Sequence, residues 1–139
     1  MFKNILIPVD FSRKNIKALD VAVDIATHYK GDIQLLHVVE IIANTAFAEF
    51  EAFYAKLEKR AERHMEKLVA PYRGDKIKIG WKIVYGNRVQ EILNYTRSQH
   101  IDMIIMNSHK IDPKNPTRGW GTISHKVVIM SPCPVMLVK

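Results

Sequence analysis

Cysteine is nearly absent from this chain, with Cys133 the only one in 139 residues. A lone thiol closes no internal disulfide, and no paired Cys/His spacing accompanies it, so a secreted disulfide scaffold and a structural zinc module are both excluded. Long apolar runs are missing as well. The longest fall far short of the roughly 20 residues needed to span a bilayer, and the opening MFKNILIPVDF has no apolar signal core followed by a small-residue cleavage site. These absences predict a cytoplasmic protein that is neither exported nor membrane-spanning. Acidic residues are scarce in the second half only. Residues 1–72 carry ten Lys/Arg against ten Asp/Glu, whereas residues 73–139 carry eleven bases against Asp75, Glu91, Asp102 and Asp112. The whole net charge of +7 therefore lies after residue 72. A field of that sign attracts anions in general and does not say which.

What is present is the balance of a folded globular chain: 47% hydrophobic and 25% charged residues, which excludes fibrous and low-complexity classes. The length predicts one domain, 1–139. KNILIPV (3–9) is a short run rich in Ile and Val, ended by Asp10-Phe11-Ser12 and followed by Ile16, Leu19, Val23 and Ala26 at helical spacing. Ser12 is the expected N-cap of that helix and Gly31 the expected C′ residue. DIQLLHVV (32–39) is a second strand. Phe47, Phe50, Tyr54, Leu57, Ala61, His64 and Leu68 then recur every three or four residues until Pro71, which predicts a long helix. KIKIGWKIVY (76–85) alternates as a third strand and is broken by Gly86-Asn87. Val89, Ile92 and Leu93 mark a third helix, IDMIIM (101–106) a fourth strand, Ile123 to Met130 a last helix, and PVMLV (134–138) a fifth strand.

Strands that alternate with helices and are apolar on both faces form a parallel sheet covered on both sides, so the expected fold is a doubly wound α/β domain. Ligands of such sheets bind at the carboxyl ends of the strands, which directs attention to Asp10, Val38 to Glu40, Tyr85 to Asn87, and the loop after Met106. Several chemistries are absent there. No GxxxxGK(S/T) or GxGxxG motif occurs, no acidic cluster of a phosphoacceptor domain surrounds Asp10, and no GxSxG elbow exists. What remains is MNSHKIDPKNPTRGWGTIS. Its glycines permit close backbone approach, Thr122 caps a helix, and Lys110, Lys114 and Arg118 outweigh Asp112, a combination suited to an anion. The bland reading of the same stretch is a solvated basic connection. Elsewhere, His37 reads as a hydrogen-bonded core histidine and Cys133 as a buried, inert thiol.

ILIPVDFS, LLHVVE, IDMIIMNSHK and GTISHKVVIMSPCPVMLV, with five strands in this order, resemble the universal stress protein A family over the whole chain. The resemblance implies a five-stranded parallel sheet of order 3-2-1-4-5. It also implies a stress-response or regulatory module that binds ATP, with Mg as its accompanying cation, and performs at most slow hydrolysis. In that family a loop of the form GxxGx9G(S/T) holds the phosphates. Gly121 and Thr122 match its closing pair. Asn107 and Lys110 stand where the two opening glycines are expected, and the stretch from Lys110 to Gly121 is one residue longer. Asn107 is expected to keep the turn, because Asn tolerates positive φ, while narrowing the cleft. The resemblance further places Pro8 and Asp10 at the ribose or adenine and the Val38 backbone and Met106 at the base; by their own chemistry the cation of Lys110, the ring of His109 and the N–H groups of the helix start at Ile123 are suited to phosphates. It implies a homodimer in which the fifth strands, Pro134 to Val138, pair across a twofold axis. Two other readings stand beside this one. The chain is then either a family member that binds no nucleotide and acts through dimer surfaces, or a nucleic-acid binder using its basic half, against which the core spacing of the aromatics speaks.

Overall fold

A computed structural model describes residues 1–108, 113–115 and 122–139. Five strands form one all-parallel sheet: β1 (Asn4–Pro8), β2 (Asp32–Glu40), β3 (Ile79–Gly86), β4 (Met103–Asn107) and β5 (Val135–Val138). Their spatial order is β3-β2-β1-β4-β5. Four α-helices connect them: α1 (Lys14–Tyr29), α2 (Glu51–Val69), α3 (Arg88–Ser98) and α4 (Ile123–Met130). The expected class and strand order are those observed.

The central strands show why. Ile5, Leu6 and Ile7 are all fully buried, which requires cover on both faces of β1. Alternation then divides the core. Ile5 and Ile7 pack with Ile33, Leu35, Met103 and Ile105 under α1 and α2, while Leu6 packs with Leu36, Val38, Ile104 and Met106 under α3 and α4. β1 joins the two halves, with Ile5 opposite Ile33 on one side and opposite Met103 on the other.

Several local expectations are corrected. α1 buries Ala18, Leu19, Ala22 and Ala26, whereas Ile16 stays 52% exposed. Three alanines on one stripe let the helix lie close to the sheet, and Ile16 instead lines a surface groove. Ser12 does not cap α1 through its side chain. Arg13 holds the N-cap place without a side-chain cap, and Ser12 supplies its backbone carbonyl to the Asn15 N–H at 3.1 Å. At the other end the left-handed residue is Lys30, at φ 54°, not Gly31. Gly31 is needed for space, since a Cβ there would lie 2.7 Å from the Phe2 carbonyl oxygen and 2.8 Å from the Lys3 Cα. The second helix divides into a 3-10 turn, Phe47–Phe50, and α2. Phe47 and Phe50 are 44% and 36% exposed, because the buried stripe of α2 runs through Tyr54, Ala61, Met65 and Val69. β3 itself starts only at Ile79, with the Lys78 carbonyl before it accepting the Ile33 N–H at 2.9 Å. Cys133 is half-buried, beside Ser131, rather than fully enclosed.

Candidate functional site

Strand order reverses between β1 and β4, and a cleft of about 220 Å³ opens there at the carboxyl ends of the strands, the position where ligands of open α/β sheets bind. Its floor is apolar: Leu36 and Val38 from β2, Met106 from β4, Ile92 from α3 and Ile123 from α4. Its rim is polar, with Asp10, Asn15, Asn107, Arg88 and Ser124.

The rim is built by one buried side chain. Asn15, 3% exposed, accepts the Asp10 backbone N–H on Oδ1 at 3.1 Å and donates from Nδ2 to the Asn107 Oδ1 at 3.0 Å. Asn107 in turn donates to the Lys14 carbonyl at 2.7 Å. Helix α1, the turn after β1 and the end of β4 are thus tied together at the switch point. Asn107 is the last residue of β4 and is not among the residues with positive φ. The expected left-handed turn at Asn107 is therefore absent, and its side chain fastens β4 to α1 instead.

Asp10 faces the cleft from a constrained turn. Its Oδ1 accepts the Ser12 N–H at 2.9 Å, and Phe11 between them sits at φ 66°, a conformation that costs a bulky residue energy. Burial alone would push the Asp10 carboxyl up. The Ser12 N–H and hydroxyl, helped by the charge of Arg88, outweigh that and hold it below the ordinary carboxylate value. Asp10 is thereby an ionised acceptor at neutral pH. Arg88 reaches this side because Gly86, at φ 147°, ends β3, and Asn87 caps α3 by accepting the Gln90 N–H at 3.1 Å. The Arg88 Nε lies 3.7 Å from the Glu40 Oε1.

His37 stands behind the Asp10 turn. Its Nδ1 donates to the Val9 carbonyl at 2.8 Å, which assigns the ring the role of a hydrogen-bonded structural histidine. Burial, with Arg88 and His64 adding to it, lowers its pKa against the raising effects of the Val9 carbonyl and Asp10. Across the cleft, Thr122 caps α4 by accepting the His125 N–H on Oγ1 at 3.3 Å.

Of the residues expected at the site, Pro8, Asp10, Val38, Met106, Asn107 and Ile123 line the cleft. Thr122 stands next to it at the head of α4. His109, Lys110, Gly121 and the loop residues Asp112 and Arg118 lie outside the described residues; Lys114 is described, and is exposed. Sequence reasoning missed Asn15, Arg88 and Ser124. Arg88 was within reach, since it follows the Gly-Asn break that ends β3; Asn15 carries no local signal, because its second partner is 92 residues away.

Comparisons agree with this architecture. The model of the universal stress protein family matches residues 1–139. Universal stress protein YxiE of Bacillus subtilis is 26% identical over 149 residues, spanning all of both chains. Universal stress protein MJ0577 of Methanocaldococcus jannaschii is 29% identical over 157 residues, covering this whole chain and 96% of that one. The solved structure of MJ0577 aligns with a TM-score of 0.82. A universal stress protein of Archaeoglobus fulgidus, solved in complex with dAMP, shares the fold over the full length of both chains at a TM-score of 0.73 and 14% identity. Five parallel strands in the order 3-2-1-4-5, cleft at the switch point, and a family match from end to end lead to one statement: the chain belongs to the universal stress protein family.

Proposed function

We propose that this protein is a binding and regulatory module that takes an adenine nucleotide, ATP with its Mg counter-ion, in the cleft at the strand ends, and that it works as a homodimer. The observation that carries the reading is the composition of the cleft at the β1/β4 switch point. An apolar floor of Val38, Met106 and Ile123 suits a base, and an ionised, oriented Asp10 suits the hydroxyls of a ribose. The first turn of α4, opened by Thr122, presents backbone N–H groups to phosphate. Among the described residues no group of three or more His, Cys, Asp or Glu side chains is gathered to hold a metal ion. On this reading Mg enters as the counter-ion of the phosphates. The Archaeoglobus fulgidus relative solved with dAMP supports the ligand class.

The stress-response role follows the family name, and a cytoplasmic setting accords with the expectation from composition. No helix among the described residues is long and apolar enough to cross a membrane. Dimerisation has its own support: β5 is an edge strand, and on the neighbouring α4 Val128, Ile129 and Met130 are 42%, 68% and 56% exposed. That surface equally favours the second reading, a family member that binds no nucleotide and acts through its dimer contacts.

Calorimetric titration with ATP and dAMP separates the two. The proposal expects saturable binding of one nucleotide per chain, and Asp10→Ala weakens it by about 1–3 kcal/mol through lost hydrogen bonds to the sugar or base. Absence of any adenine-nucleotide binding overturns the reading in favour of the second, and equal affinity in Asp10→Ala overturns the placing of the nucleotide against Asp10.

A further inference from the structure

A second groove lies on the opposite face of the sheet, between the start of α1 and the end of α2. Its volume is about 240 Å³. Phe11, Ile16, Leu68, Pro71 and the ring of Tyr72 give it apolar walls. Ile16 lies on a helix whose Leu19 is completely buried, yet it is 52% exposed. The basic residues Arg13, His64 and Lys67 stand on the rim, and no carboxylate belongs to the lining. The first turn of α1 carries no acid. Of the acids bonded to lining residues, Asp20 is engaged by the Tyr72 hydroxyl and Asp10 by the Ser12 N–H. Arg13 and Lys67 form no ion pair among the described residues. The His64 ring is held in place by stacking on Phe11, with centroids 4.7 Å apart.

An apolar trough rimmed by cations and lacking acids complements one chemistry, an apolar body that ends in an anionic group. A dry cavity of ~150 Å³ accepts a benzene ring, so this groove has room for one ring or a chain of several carbons with its head at the rim. We propose that it is a ligand site for a small carboxylate with an apolar body, either a medium-chain or an aryl carboxylate, separate from the nucleotide cleft. Leu68 and Ile16 hold the apolar body, and Arg13 and Lys67 bind the carboxylate. The site needs no nucleotide and does not rest on the reading of the other cleft. Only Asn15 lines both.

The probe is octanoate, with octylammonium as the charge-reversed control, on the full chain. In methyl NMR spectra of the unaltered protein, octanoate shifts Ile16 and Leu68 and leaves Val38 and Ile123 in place, and saturating ATP does not displace it. Octylammonium produces no saturable shift. Arg13→Glu combined with Lys67→Glu weakens octanoate about tenfold, whereas Lys56→Glu, elsewhere on α2, leaves it unchanged. No saturable octanoate binding, equal binding of octylammonium, shifts centred on Val38 and Ile123, or equal losses in the double variant and in Lys56→Glu each overturn the proposal.

Discussion

Asn15 shows how one buried side chain can organise the rim of a cleft. A buried amide with both ends engaged is worth more than its hydrogen bonds suggest, because removing it strands its partners. Asn15→Ala leaves the Asp10 N–H and the Asn107 Oδ1 without their acceptor and donor. It is expected to lower unfolding free energy by about 1–3 kcal/mol, which urea titration measures as a reduced midpoint at unchanged slope. His37 gives the pH dependence at this scale. Its folded pKa lies below the ordinary 6.5, so between the two values the unfolded chain binds the extra proton. Stability then rises with pH across that window and falls as pH drops from about 6.5. Asp10 acts in the same direction at lower pH, since its lowered pKa contributes stability above the ordinary carboxylate range that is lost on acidification. Unfolding midpoints measured from pH 7.5 to 5 should decline in the parent protein and decline less in His37→Gln. An equal decline in both proteins assigns the acid sensitivity to other groups.

At the scale of elements, the joint between α1 and β2 is closely packed. Lys30 takes the left-handed conformation despite its side chain, and Gly31 passes against Phe2 and Lys3 with no room for a Cβ. The conformational freedom of glycine is not what this turn uses; its missing side chain is. Gly31→Ala meets backbone atoms that cannot rotate away, and overpacking of this kind costs about 1–3 kcal/mol. The expected result is a lower melting temperature with unchanged far-ultraviolet circular dichroism. Lys30→Gly removes a strained φ instead and should be neutral or stabilising, so the pair of variants separates the two causes. The 3-10 turn at Phe47–Phe50 teaches a related point. Helical spacing was present there, and Phe47 found a partner in the Tyr54 ring at 5.0 Å, yet no layer of the fold lies beyond it to bury the ring.

At the scale of the whole molecule the open question is how the β5 edge is covered. The Pro134 and Val138 carbonyls accept N–H groups from Ile104 and Ser108 of the β4 side. Alternation along a parallel strand then turns the Val135 and Leu137 amides outward, towards the free edge. Leu137→Pro thus removes an outward donor while sparing the bonds to β4, and its ring occupies the space of a partner strand. The proposed dimer should fall to monomer mass in light scattering, with native-like circular dichroism retained. A dimer mass in that variant means that the subunits meet elsewhere.

Run length, hydrophobic period and turn residues are local properties, and they were enough for the order of elements, the parallel sheet and the strand ends at which Asp10, Val38 and Met106 stand. Burial of Ile5, Leu6 and Ile7 on both faces was legible as an uninterrupted apolar run. Contacts between distant segments were not. Asn15 meets Asn107, Arg88 meets Glu40, and Gly31 meets Phe2 only when the strands are stacked side by side. Read locally, Asn107 is a turn former, Gly31 a cap and Asn15 merely one residue of the first turn of a helix, because each is considered alone. Tertiary structure reassigned all three for one reason: a buried polar group must find a partner and a crowded backbone must find space, whatever the local preference.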